Sequence, residues 1–479
     1  MSMKKNVRKL ISLSMIVATV FIVFINIFFS VLDNFVDLRF DLTQNKAFQI
    51  ESSTKSILSE FKSEVKILVL AKEEDFTSNS VYNAQANQVF EQFALYGHSI
   101  TLDYIDFVSN PSIANRYPAM QIKYGDIILE TPANAYHIRT EDLFNYTYSQ
   151  TGQPTIVSSR AEEALLTGLL AVTSDVKPKV ALINGHAEYD MPEFVNLLKR
   201  NNYDVSTVNL ITEDLSNDIN AVAMFAPKND LSLEELEKID KFLENNGEYN
   251  KFLLYTADPG QKELPNLSIF LREWGVGISS GSIFETNENR VYNYQPFYGI
   301  VDYVDIEFQD KLLSNTIPML MPLARPIQVL FESRNNYSTR VLTQFAKSSG
   351  VRPENAPQDF SASMATEFGP LPALVLSTRS LQNTTNSPSS QVLVSGSTAF
   401  VDVFALKNAS FSNSEYILNV INAHANNDQS FRVLPKKIIG NNLNLTRFQA
   451  NLIGSLFVFV VPACMLVMAV FIYIRRKSL

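Results

Sequence analysis

Cysteine is almost missing from this chain: the 479 residues hold one, Cys464, and it sits inside an uncharged apolar run. A lone thiol there rules out an internal disulfide framework, a C-x-x-C redox pair and a thiol nucleophile in the body of the protein. The phosphate-cradling pattern G-x-x-x-x-G-K-[ST] is also absent, and none of the 16 glycines is followed by lysine, so the chain carries no P-loop of its own. Any ATP-driven work falls to a partner. Basic residues are in deficit, 40 Lys and Arg against 49 Asp and Glu, for a net charge of −9. With no Lys/Arg cluster in the body, this balance argues against a nucleic-acid partner, because phosphate binding needs a basic face.

What is present begins at the two ends. Residues 10–32 and 450–474 are uncharged and apolar. At about 1.5 Å per helical residue each is long enough to cross a hydrocarbon core of roughly 30 Å. Lipid offers the backbone no hydrogen-bond partner, so such a run must be helical. Lys4, Lys5, Arg8 and Lys9 precede the first run, whereas Asp33, Asp37 and Asp41 follow it, and Arg475, Arg476 and Lys477 close the second. The bias of basic residues puts both tips, 1–9 and 475–479, in the cytoplasm and the main body outside it. The first run reads as an uncleaved anchor rather than a signal peptide, since it is long and no A-x-A-like site follows it. The lipid bilayer is therefore an expected partner and the cell membrane the expected location.

Between the anchors, 46% apolar and 19% charged residues indicate packed domains. Residues 65–70 read as a buried strand, 84–96 as a helix stopped by Gly97, 99–108 as a second strand and 125–130 as a third. That order predicts a thioredoxin-like α/β domain over 33–150. The turn-rich stretch 149–154 and the helix within 160–172 predict a linker and helix over 151–178. Strands at 179–183, 203–210, 221–226 and 252–256 alternate with helices at 192–200 and after Ser232, where Glu235 stands at capping-box spacing and Gly247 marks the end. The alternation predicts a Rossmann-like parallel sheet, covered on both faces, within a domain spanning 179–445 with later strands and loops. Residues 378–390, rich in Ser, Asn and Thr, predict a mobile loop, with 391–395 a strand and 416–423 a helix. The fold class is thus α/β, two extracytoplasmic units flanked by two transmembrane helices.

In a parallel sheet ligands sit beyond the carboxyl ends of the strands. Three loops reach that edge: Asn184-Gly185-His186-Ala187-Glu188, Pro227-Lys228-Asn229 and Asp258-Pro259-Gly260. Gly185, His186, Glu188, Asn229 and Asp258 are the candidate ligand-binding residues. His186 and Glu188 would project from a helix start whose free N–H groups favour an anionic or polar ligand; in the competing reading Gly185 only permits a tight turn and His186 bonds locally. The H-x-E pair lacks the P-C-x-x-C of a zinc deaminase, and the other histidines are scattered at 98, 137 and 424, so no metal site is expected. Gly277-Ile278-Ser279-Ser280-Gly281 fits G-x-S-x-G, but its flanks lack the strand-then-helix context of a nucleophile elbow. No catalytic set emerges, no cofactor is implied, and Glu162 and Glu163 read as a solvated helix face.

Several stretches together resemble the gliding-motility-type (Gldg) auxiliary proteins of ABC transporters. They are Asp37-Leu38-Arg39-Phe40-Asp41-Leu42-Thr43 after the first run, the helix start at residues 52–55, and Tyr104-Ile105-Asp106-Phe107 with Asn110-Pro111. Further along come the helix 163–172, Ala181-Leu182-Ile183-Asn184-Gly185-His186-Ala187-Glu188, Gly396-Ser397-Thr398-Ala399-Phe400 and Tyr416-Ile417-Leu418-Asn419. That family usually has G-H-G-E where this chain has Gly185-His186-Ala187-Glu188, and an acid where Ser397 stands. The resemblance implies a non-enzymatic extracytoplasmic subunit working beside a separate ABC ATPase and a membrane permease, binding a substrate or partner. The alternatives are a membrane-tethered enzyme acting on cell-envelope sugars or peptides and a structural envelope scaffold.

Overall fold

The computed structural model describes residues 46–424, apart from 119, 149–152, 175–176, 313 and 383–386, together with Val20, Phe24 and Lys436. By packing the chain divides into Met1–Lys437 and Ile438–Leu479, and every described residue belongs to the first unit. The runs 10–32 and 450–474 expected to span a membrane, and the tips 1–9 and 475–479, lie outside the described residues save for Val20 and Phe24, which are helical. Among the described residues no helix is long and apolar enough to cross a membrane. The protein is a mixed α/β fold with parallel and antiparallel sheets.

The first sheet has four strands, β1 (Val65–Val69), β2 (Ile100–Tyr104), β3 (Ile127–Glu130) and β4 (Ala135–Ile138), in the order β2-β1-β3-β4. β1 and β2 are parallel, Val65 opposite Ile100, with the helix Val81–Tyr96 between them in the chain; β3 and β4 add on antiparallel. That helix starts where the Ser80 hydroxyl accepts the Asn83 N–H at 3.0 Å. It stops at Gly97, where a Cβ would come 2.8 Å from the Phe93 carbonyl oxygen. Its Val89, Phe90 and Phe93 pack with Ile67 and Leu129 of the sheet and with Leu165, Leu166 and Leu169 of the helix Ala161–Thr173. The segment 151–178, expected as a linker and helix, packs into this core through its helix. It supplies β6 (Pro154–Ser159), paired antiparallel with β5 (Phe144–Tyr148), and then a helix that completes the first core.

Glu162, expected on a solvated face, is buried. Its side chain is 4% exposed, Oε2 lies 2.8 Å from the Lys436 ammonium, and Oε1 accepts the Glu51 N–H at 2.7 Å. Lys436 Nζ donates as well to the Gln49 carbonyl, and the Lys436 and Ser159 backbones exchange two N–H···O bonds of 2.8 Å. Residues 49–51 and 436 are thus held at one place by a single carboxylate.

The second sheet has ten strands and two halves. β7 (Lys179–Asn184), β8 (Asp204–Asn209), β9 (Ala221–Phe225) and β10 (Phe252–Thr256) are parallel in the order β8-β7-β9-β10. The small strands β11 (Val276–Ile278) and β12 (Ser282–Glu285) form separate two-stranded pairs with β15 (Ile327–Val329) and β18 (Ser349–Arg352). β13 (Tyr298–Tyr303), β14 (Met319–Pro322), β16 (Ser333–Arg334), β17 (Tyr337–Phe345), β19 (Leu371–Ser380) and β20 (Ser389–Ser395) complete the large sheet. β20 lies beside β10 in parallel, Phe252 opposite Gln391, and β19, β17, β13 and β14 follow antiparallel.

Alternation along the central strands feeds two cores. Ala221, Ala223, Phe225, Phe252 and Leu254 face the helices Pro192–Arg200 and Asn413–His424; Val222, Met224, Leu253 and Tyr255 face Leu233–Glu244 and Pro265–Glu273. All five residues of β9 and of β10 are buried, as a sheet covered on both faces requires. The capping box at Ser232 and Glu235 forms, and the helix ends at Asn245 in the left-handed conformation, two residues before Gly247. The stretch 378–390, expected to be a mobile loop, is ladder at both ends, where Thr378 pairs with Gln391, Arg379 with Ser390 and Ser380 with Ser389, while 383–386 lie outside the described residues. Ser and Thr serve here because they fit a strand partnered on both sides, a role composition alone does not distinguish from a loop.

Candidate functional site

The chain reverses its lateral direction in the large sheet between β8 and β9, so the switch point lies at the carboxyl ends of β7 and β9. Gly185 follows β7 with φ of 117°, where a Cβ would meet Asn209 Oδ1 at 2.8 Å. A side chain is excluded there by both the dihedral and the space. Ala187 adopts φ of 57°, which folds Glu188 back so that its Oε2 accepts the His186 N–H at 2.8 Å. The His186 ring then lies between two acids, Nδ1 at 3.6 Å from Glu188 and Nε2 at 3.2 Å from Glu235. All three side chains are buried.

Glu235 is also the capping-box acid, its Oε2 accepting the Ser232 N–H at 2.7 Å. Burial pushes its carboxyl up, but the Ser232 hydrogen bonds and the His186 ring outweigh that and leave it below the ordinary glutamate value. The backbone closes the crevice: the His186 carbonyl accepts N–H groups from Lys228 at 2.8 Å and Asn229 at 3.1 Å, and Tyr189 N–H reaches the Phe225 carbonyl at 2.9 Å. Asp258 joins through Tyr189, whose hydroxyl donates to Asp258 Oδ1 at 3.3 Å; the same oxygen accepts the Gly260 N–H at 2.8 Å.

The five predicted residues therefore share one edge, with different roles. Gly185, His186 and Glu188 form the clasp, Asn229 contributes its backbone and leaves its side chain exposed, and Asp258 stands at the rim. His186 and Glu188 do not project from a helix start as expected. Pro192 sets the first helical residue, so both acid and ring precede the helix and turn inward. The arrangement ties the loop after β7 to the first turn of Leu233–Glu244, which a buried ring flanked by two carboxylates does well. Among the described residues no group of three or more His, Cys, Asp and Glu could hold a metal ion. Ser279 lies between the short strands β11 and β12 with no helix after it, so the G-x-S-x-G segment makes no nucleophile elbow.

A second polar cluster had no counterpart in the sequence reading. Arg200, at the end of Pro192–Arg200, donates through Nη1 to Asp142 Oδ1 and through Nη2 to Glu193 Oε1, both at 2.8 Å. Arg139 forks onto Asp142 at 2.8 and 2.9 Å, and Lys407 stands 3.2 Å from Glu193. Burial pushes the Asp142 carboxyl up, yet Arg139 and Arg200 pull it below the usual aspartate range. This seam joins the hairpin of β5 and β6 to the helices of the large sheet. Tyr146 and Asn408 also form a backbone bridge, and Ala409 N–H reaches the Tyr146 carbonyl at 3.0 Å. Its residues come from segments 139–160, 193–200 and 407–409, and the local signal is Arg139 beside Glu141 and Asp142.

A family described as a domain of unknown function (DUF7088) matches residues 44–139. Among curated proteins none matches the chain. Similar solved structures include the mmIFT52 N-terminal domain, 12% identical, which overlaps 53% of this chain and 100% of its own at a TM-score of 0.37. A GMP synthase component from Thermoplasma acidophilum is 11% identical over 53% of this chain and 97% of its own, TM-score 0.28. PurLQS from Thermotoga maritima is 11% identical over 52% and 99%, TM-score 0.25. Overlap this partial carries nothing about activity or ligands to this chain.

Proposed function

We propose that the protein is a non-catalytic, membrane-anchored auxiliary component of an ABC transporter, its body outside the cytoplasm and its two anchors beside a permease served by a separate ATPase. The observation that carries the reading is the placement of the uncharged runs 10–32 and 450–474 on either side of a body whose first described residues meet Lys436 at Glu162. Ends that leave one place suit two anchors in one bilayer. The strand order β2-β1-β3-β4, with its parallel first pair, supports the thioredoxin-like reading of the first unit; the parallel order β8-β7-β9-β10-β20 supports the Rossmann-like reading of the second. Burial of His186 and Glu188 favours a structural role for the carboxyl edge over an enzymatic one, since neither side chain is open to a substrate. Purification from the native membrane in mild detergent should bring down an ATPase and a permease; recovery of the protein without either, under several conditions, removes the proposal.

A further inference from the structure

A cavity of about 460 Å³, in the range of small-ligand sites, opens beside the loop that follows β10, at the carboxyl edge of the parallel strands. Leu264, Leu271 and Ile278 give it an apolar wall, and four charged side chains line it, Lys262 and Arg325 with Glu263 and Glu354. Arg325 is held firmly from behind. Its N–H donates to the Gly396 carbonyl at 2.7 Å, a Cβ on Gly396 would come 2.4 Å from the Arg325 carbonyl oxygen, and its Nε donates to the Ser279 carbonyl at 3.0 Å. Ser279 belongs to the G-x-S-x-G stretch and its own N–H reaches the Pro326 carbonyl at 2.9 Å. That stretch thus serves as a mount for a guanidinium.

The mount uses Nε and leaves both Nη groups over. Among the described residues neither Nη has a hydrogen-bond partner or a carboxylate within 4.0 Å, and Arg325 is half-buried with neither Nη shut off from water, unlike the Nε atoms at the seam. A guanidinium fixed in place with a free pair of N–H groups suits a carboxylate, which it can fork. A simple anion, however, would also meet Glu263 and Glu354, both exposed and without an ion pair among the described residues, and a simple cation would meet Arg325 and Lys262. A zwitterion avoids both conflicts, because one small molecule then sets opposite charges against the opposite charges of the wall. The apolar wall asks for an apolar portion as well.

We propose that this cavity binds an apolar α-amino acid, free or within a short peptide, with the carboxylate forked by Arg325, the ammonium facing Glu263 and Glu354, and the side chain against Leu264, Leu271 and Ile278. The site goes beyond the transporter reading and does not depend on it, since binding belongs to this chain whether or not an ATPase and a permease accompany it.

The test is calorimetry on the full chain in mild detergent with leucine, leucyl-leucine, N-acetylleucine and leucinamide. Leucine or leucyl-leucine should bind, and the two blocked compounds, each lacking one of the charges, should bind at least tenfold more weakly; which zwitterion binds more tightly separates a free amino acid from a peptide. Arg325→Gln removes the forked pair while retaining an amide donor, and should weaken binding at least tenfold. Glu263→Gln with Glu354→Gln changes two exposed side chains, should weaken binding of the zwitterion while leaving N-acetylleucine unaffected, and decides the matter if Arg325→Gln does not fold. The proposal fails if neither zwitterion binds at millimolar concentration, if either blocked compound binds as tightly as leucine, or if binding survives either change in a folded variant.

Discussion

At the carboxyl edge of β7 and β9 the buried acids face a histidine and backbone N–H groups, whereas at the seam they face arginines. In the first place Glu188 and Glu235 flank the His186 ring at 3.6 and 3.2 Å, His186 Nδ1, Glu188 Oε1 and Glu235 Oε1 stay buried without a hydrogen-bond partner among the described residues, and the His186 carbonyl takes two N–H groups from the neighbouring loop. In the second, Arg139, Arg160 and Arg200 pair with Asp142, Glu163 and Glu193, while Arg160 Nε and Arg200 Nε stay buried without a hydrogen-bond partner among the described residues. Both clusters leave buried polar atoms over, carboxylate oxygens and a ring nitrogen in the first and only N–H donors in the second. The difference lies in the donor count of arginine, five N–H groups in a fixed fork.

The comparison breaks most sharply at Arg200. Arg200→Leu takes one of two cations from each of the buried Glu193 and Asp142 carboxylates, leaving Lys407 and Arg139, and should destabilise the fold by about 3 kcal/mol, measurable by urea denaturation. A smaller loss, about 2 kcal/mol, is expected for Gly185→Val, which forces a branched side chain into a positive-φ position against Asn209. His186→Ala removes the ring between two acids and should cost about 1–2 kcal/mol by urea denaturation; an unchanged stability would show that the ring ties nothing together. The smallest effect is with pH. Because Asp142 is held below its unfolded value of about 3.9, its contribution is complete above that pH and is lost as the pH falls below it. Asp142→Asn should flatten the acid limb of the Tm profile below about pH 4, and an unchanged limb would assign the acid sensitivity elsewhere.

How much of this was legible in sequence follows from distance along the chain. The strands Lys179–Asn184, Ala221–Phe225 and Phe252–Thr256 announce themselves as short apolar runs between amphipathic helices, and Ser232 with Glu235 announces a helix start, because each signal fits within a few residues. The Gly185 turn was legible for the same reason, as a glycine directly after a buried strand. The inward direction of His186 and Glu188 was not, since it depends on Glu235, some fifty residues away in sequence. Glu162 shows the limit most clearly. On the helix Ala161–Thr173 it sits in the acidic first turn, where an exposed glutamate is unremarkable, and only a lysine at 436 makes it a buried one. Likewise β20 pairs with β10 across more than a hundred residues, so the end of the parallel series could not be found at Thr256.

The Glu162 clasp also has a mechanical meaning. Tension between residue 49 and residue 436 is borne first by one ion pair, one charge-assisted contact to a carbonyl and the two backbone bonds between Ser159 and Lys436. The four- and ten-stranded sheets lie beyond that latch in the path of the force. A pull on the two ends should therefore open the latch at lower force than either sheet, measurable by single-molecule pulling between residues 49 and 436. The two ends of the described body are thus closed on one another by contacts that belong to neither sheet's own ladder.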